Sequence, residues 1–307
     1  MPRRPRQLTG VVALVDVAAL IAALVTLGVH TGSGRPSPAA ASRPGRATSA
    51  AGPSVAAGAP TTGAPNLPAL PTSTPSASSS RTAPGRTTTL APIVTPVGGP
   101  ATPGPVTSTP PGTYVYTASA QSDRQSSTTT LNETVVDESN TNGELRQSVT
   151  DKSSDNSLNA RQEVSWRAVG LYLRSMDFTF GGAPITCNFV SPVLELALPL
   201  AVGKQWPVQG MCTVSYSGAQ DTVKVQGAAH VSGVERVAVG SQPVDVWVVD
   251  GAVDLIGSGT FPFDIHETRH TLVTGQGIVA ADKSTMTNVP FAGTVTADRE
   301  LRSLKPN

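Results

Sequence analysis

The stretch Phe261–Val273, FPFDIHETRHTLV, has two readings that lead to different proteins. His266, Glu267 and His270 spell H-E-x-x-H, which on a helix brings two imidazoles and a general base to one Zn²⁺. Helical residues i and i+4 stand one turn apart, about 6 Å. On an extended strand the same spacing is about 13–14 Å, too far for both imidazoles to share a metal. The local pattern favours the strand. Phe261, Phe263 and Ile265 alternate with Pro262, Asp264 and His266, and Thr268, Thr271 and Val273 are β-branched. The inner motif positions are Thr268 and Arg269, where a zinc helix packed behind its metal carries apolar or small residues. Val273 and Gln276 stand where the longer metzincin motif has its glycine and third histidine. A zinc hydrolase using His266, His270 and Glu267 therefore remains only the alternative. No metal, no other cofactor and no catalytic residue is nominated.

The same period of two runs outward from this strand. GTYVYTASA opens with Tyr114 and Tyr116 on one side. ELRQSVTD, ARQEVSWRAVGLYLRSM, ITCNFV, CTVSYSG and DTVKVQGAAHVSGVERVAV follow, and PVDVWVVDGAVDLIG and GTVTADRELRSL come later. Turn residues such as Asn142-Gly143, Gly181-Gly182, Ser217-Gly218 and Gly275-Gln276-Gly277 separate them. Val244–Val249 is nearly continuous apolar sequence around Trp247, as a strand covered on both faces would be. Only Val193–Leu200, bounded by Pro192 and Pro199, offers a short helical option. Residues 112–307 thus read as a single, mainly β, antiparallel domain.

Upstream of it the composition changes. Residues 30–111 are Ala, Pro, Ser, Thr and Gly with almost no large apolar side chain, a disordered linker by composition. Extended as polyproline II it reaches about 250 Å at about 3.1 Å per residue. Residues 10–29, GVVALVDVAALIAALVTLGV, are apolar except for Asp16 and Thr26. About 20 residues at 1.5 Å each span a bilayer's hydrocarbon core. Arg3, Arg4 and Arg6 in the tail 1–9 hold that end in the cytoplasm and send the rest outside. The expectation is a single-pass cell-membrane protein with an extracytoplasmic C-terminal domain, a cleaved signal peptide being the rival.

Charge narrows the function. From residue 111 onward there are 14 basic and 20 acidic residues, a balance of 14 − 20 = −6. A mildly acidic domain lacks the clustered Lys and Arg that nucleic acid requires. Cys187 and Cys212 are the only cysteines, and an oxidising compartment predicts a disulfide between them. Trp166, Trp206 and Trp247 are candidates for a ligand pocket, or else core residues. No G-x-S-x-G elbow, P-loop or dinucleotide-binding glycine fingerprint occurs.

Pro199, Gly203 and Trp206 form P-x-x-x-G-x-x-W; Gly233, Glu235 and Val237 form G-x-E-x-V; Gly277 and Val279 open a late strand. This pattern resembles that of bacterial envelope domains, and the Arg-over-Lys, Ala/Gly/Pro-rich usage is of actinobacterial type. The resemblance implies a half-open antiparallel β-barrel or curved sheet, akin to the folds of lipoprotein-sorting and lipid-carrier proteins. It brings no catalytic residues. The expected function is a non-enzymatic, membrane-tethered envelope domain that binds an apolar envelope ligand or a partner protein. A structural wall-spanning module is the second option.

Overall fold

The computed structural model describes residues 95–122, 126–156, 158–180, 183–216, 219–259, 262–290 and 292–307. The tail 1–9, the expected membrane span 10–29 and the linker up to residue 94 lie outside the described residues. Among those described, no helix is long and apolar enough to cross a membrane.

Twelve strands follow one another: β1 Gly112–Ser122, β2 Ser126–Thr141, β3 Glu144–Ser153, β4 Asn159–Arg167, β5 Gly170–Phe180 and β6 Ala183–Ala197. Then come β7 Gln205–Tyr216, β8 Ala219–Val239, β9 Gln242–Ser258, β10 Phe263–Thr274, β11 Val279–Val289 and β12 Gly293–Leu301. Each pairs antiparallel with its neighbours in sequence, and β12 closes on β1 from Tyr116↔Leu301 to Ser122↔Val295. The barrel is therefore closed, which corrects the half-open barrel or curved sheet expected from the resemblance. Closure removes both edge strands that an open sheet would present. A sequence pattern records the alternation along each strand but not whether the first and last strands meet.

Alternation decides which side chains enter. Tyr114 and Tyr116 on β1, Leu131 and Val135 on β2, and Ile265 and Val273 on β10 are buried. β4 shows the period over its first half, with Ala160 and Gln162 buried between the exposed Asn159, Arg161 and Glu163. The Asn142-Gly143 signal is a two-residue hairpin loop with both residues at positive φ, 53° and 75°. That is the primed geometry whose twist matches the flanking strands. Val193 and the residues after it are the end of β6, not a helix: Val193 pairs with Leu173 and Leu196 with Leu171.

One seam in the barrel is only partly laced. The β6–β7 ladder runs from Ile185↔Tyr216 to Phe189↔Cys212 and stops, although both strands continue. Pro192 on β6 and Pro207 on β7 have no N–H to offer, so neither side can sustain a regular ladder beyond that point. Where the ladder ends, Cys187 and Cys212 are bonded, Cα to Cα 5.5 Å, and fasten the two strands together.

The five hairpin turns after β2, β4, β6, β8 and β10 define one end of the barrel, here the entry end. Residues 95–111 run across it and are held by backbone groups. Val97 N–H donates to Arg236 O, Ala238 N–H to Thr95 O, and Thr107 N–H to Gly275 O. The Trp247 indole donates to Gly104 O, and the Tyr114 hydroxyl to Pro110 O. A proline-rich segment with few apolar side chains can still order itself by satisfying exposed backbone and indole groups. It covers the Trp247 face of β9 while Val246 and Val248 are buried on the other, so both faces of Val244–Val249 are covered as its composition predicts.

Candidate functional site: an interior belt of charge and outer histidine pairs

β10 settles how the H-E-x-x-H residues are used. Being a strand, it turns His266 and His270 to the outer surface and Glu267 to the interior. Each histidine meets an aspartate directly across on β9: His266 faces Asp254 and His270 faces Asp250. Their Nδ1 atoms lie 2.8 Å and 2.7 Å from the carboxylates. The hydrogen bond to Asp250 raises the His270 pKa above its ordinary value, against the opposing effect of burial. Burial pushes the Asp250 carboxyl upward, but hydrogen bonds from His270 and Ser232 outweigh it and hold the carboxyl below the usual range. The motif thus yields two cross-strand histidine–aspartate contacts. Among the described residues, no group of three His, Cys, Asp or Glu is arranged to hold a metal ion.

Glu267 belongs to a different construction. Its inward neighbours on β10 are Arg269 and Thr271, flanked by Ile265 and Val273. Arg269 donates to Glu267 at 2.8 Å and lies 3.9 Å from Asp282 on β11. The Thr271 hydroxyl donates to the same Asp282 at 2.5 Å. Asp282 faces Arg299 on β12, and Arg299 donates to Glu133 on β2 at 3.0 Å. The Arg299 guanidinium sits 5.3 Å above the Tyr116 ring, whose hydroxyl donates to Glu133. Burial, then the Glu133 charge, raises the Tyr116 pKa well above its ordinary value, so the phenol stays protonated and remains a donor. The belt crosses the barrel wall from β10 through β11, β12 and β1 to β2. Asp151 on β3 and Glu195 on β6 are further buried carboxylates. Removing a charged pair from water costs several kcal/mol per ion, so the belt is maintained only by mutual satisfaction.

A small cavity of about 30 Å³ lies inside, lined by Glu195, Val208, Val253, Glu267, Arg269 and Thr271 among others. That is room for about one water molecule, bounded by charge on one side and valines on the other. The three tryptophans do not line it. Trp166 on β4 donates to Gln147 at 3.1 Å. Trp206 on β7 is buried in the core cluster. Trp247 on β9 is tied to Gly104. They occupy three strands of which no two are neighbours.

Of the residues that carry the resemblance, Gly203, Trp206, Gly277 and Val279 hold turns and strand starts, while Gly233, Glu235 and Val237 lie within β8. Gly203 adopts φ 83° in the β6–β7 connection and Gly277 φ 70° before β11, while Trp206 is the second residue of β7. The belt went unseen in the sequence, where each member is an isolated charge. A signal was present nonetheless: Glu267, Arg269 and Thr271 share the parity of Ile265 and Val273, and so had to share their face.

Fold and interior together define a closed antiparallel barrel whose described interior holds an apolar core and a charged belt. No protein-family model, no curated protein and no solved structure matches the chain.

Proposed function

We propose that the chain is a membrane-tethered, extracytoplasmic module of a bacterial envelope that recognises a partner with its outer surface and carries out no chemistry. The observation behind this reading is the occupation of the described interior by buried side chains and the charged belt. Pockets for small molecules run to several hundred Å³, whereas the cavity among Glu195, Glu267 and Arg269 is about 30 Å³. An interior of that kind supports neither lipid carriage nor a catalytic cleft, and the faces of β10 separate Glu267 from the histidines it would serve. Recognition then falls to the outer surface. The tether rests on the arginine tail, the apolar run 10–29 and the long linker.

Two measurements test the reading. Full-length protein expressed in a high-GC bacterial host should stay with alkali-washed membranes and be digested by protease added outside spheroplasts. Recovery in the cytosol would overturn it, and recovery from the medium as a shortened chain would replace the anchor by a signal peptide. Native mass spectrometry of the chain in detergent should give a bare protein mass, lighter by the two hydrogens of the disulfide. A bound lipid would restore the carrier reading. A zinc adduct lost in His266→Ala would restore the hydrolase.

A further inference from the structure

Beside the turns after β2, β4 and β6, the end at which the chain enters carries a cluster of basic side chains. Arg146, Arg167, Arg174 and Lys204 stand there with Glu144, while Arg236 near the turn after β8 is paired with Asp245. The segment 95–111 that crosses the entry end contains no charged residue and does not offset this.

The same end exposes apolar side chains at its tips. Val169, in the turn after β4, is 59% exposed, and Val202, in the β6–β7 connection, is 60% exposed. The two loops are joined, Leu198 N–H donating to Val169 O at 2.9 Å, so the valines belong to one surface. Arg167 lies two residues before Val169 and belongs to a basic cluster. Arg146, Arg167 and Arg174 converge on the single carboxylate of Glu144 at 3.0, 3.2 and 3.2 Å, three positive charges against one. Lys204 lies two residues beyond Val202 and is anchored to Pro199 O at 2.8 Å. Apolar tips beside arginine and lysine are the pattern that settles onto an anionic bilayer, the side chains entering the interface and the cations meeting phosphates.

We infer that the entry end, through Val169, Val202, Arg146, Arg167, Arg174 and Lys204, docks on the anionic phospholipid surface of the membrane to which the chain is tethered. The inference rests on the tethered reading above for its geometry. The linker gives the barrel access to its own bilayer at high effective concentration, and the end from which the chain emerges is the end that lands.

The test is lipid photo-labelling of the full chain reconstituted in nanodiscs. One set is phosphatidylcholine alone and the other equal parts phosphatidylcholine and phosphatidylglycerol, both doped with a diazirine phospholipid. In anionic discs the peptides containing Val169 and Val202 should acquire adducts. In neutral discs, or with Arg146→Glu, Arg167→Glu and Lys204→Glu combined, the yield should fall about tenfold or more. Salt at 1 M, where the screening length is about 3 Å, should give the same loss in the unaltered chain, independent of any folding defect. Adducts confined to residues 10–29, equal labelling in both lipids, or labelling of the opposite turns would overturn docking. A chain that fails to enter the discs breaks the tethered reading instead. Docking is then judged by sedimentation of the free chain with phosphatidylglycerol vesicles, absence of which overturns it.

Discussion

At the scale of single residues, Arg299 shows how the interior is balanced. It pairs with Glu133, faces Asp282 and lies over Tyr116, so one guanidinium serves three strands. Replacing one member of a buried ion pair strands the other in a low-dielectric interior, at a cost of about 3–5 kcal/mol. Arg299→Met should therefore lower the free energy of unfolding by about that much in a denaturant titration. Glu133→Gln in the same chain should recover a large part of it, because the stranded carboxylate is gone; additive losses would show that the two do not act as a pair. The outer pair His270–Asp250 is partly solvated, so its worth is below about 1 kcal/mol. Its sign is nonetheless definite. The raised His270 pKa contributes stability that is complete below the histidine's unfolded pKa and vanishes as pH rises through the folded one. The lowered Asp250 pKa contributes stability that is present above the carboxylate's unfolded pKa and is lost as pH falls through the folded one. The pair thus helps most in mildly acidic solution. In an NMR titration Asp250→Asn should move the His270 midpoint down; an unmoved midpoint would mean the hydrogen bond does not form in solution.

At the scale of elements, the seam between β6 and β7 is the part of the wall least held by backbone hydrogen bonds. Its ladder spans only Ile185–Phe189, and the disulfide secures it where Pro192 and Pro207 prevent continuation. A bridge closing a loop of about 25 residues is worth roughly 3 kcal/mol in the chain-entropy model. Cys187→Ala with Cys212→Ala should cost about that much, with amide exchange rising first in β6 and β7. Uniform acceleration around the whole barrel would show that the seam does not open by itself. The β2–β3 hairpin makes a simpler prediction. Gly143 has φ +75° and open space around its Cα, so only backbone strain opposes a side chain there. Gly143→Val should cost about 1–2 kcal/mol, the left-handed penalty for a non-glycine residue, measured as a lower unfolding midpoint. The alternation of β1, β4 and β10 and the turn at Asn142-Gly143 were legible because both depend on neighbours in sequence. The position of Glu267 opposite its motif histidines was legible for the same reason, once β10 was taken as a strand.

At the scale of the molecule, the linker and the barrel are not separable at residue 112. Residues 95–111 supply acceptors to Trp247, Tyr114 and Gln147 through Gly104, Pro110 and Thr109. A chain beginning at Gly112 leaves these donors to water or unmet, each unmet buried group costing about 1–3 kcal/mol. It should unfold at a distinctly lower temperature than one beginning at Thr95; equal midpoints would show that the segment is a passenger. Composition alone assigns those residues to the linker, because it counts side chains and they hold on by backbone. The sequence by itself determined what local chemistry determines: strands by their period of two, turns by Asn and Gly, a strand favoured over a zinc helix by β-branched alternation, and the disulfide by cysteine count. Only the tertiary structure decided that β12 meets β1, that Arg269 and Arg299 lie on either side of Asp282, that the β6–β7 ladder ends at Phe189, and that Arg146, Arg167 and Arg174 converge on Glu144. Each of those is a relation between residues far apart in the chain, set by how twelve twisted strands close on one another.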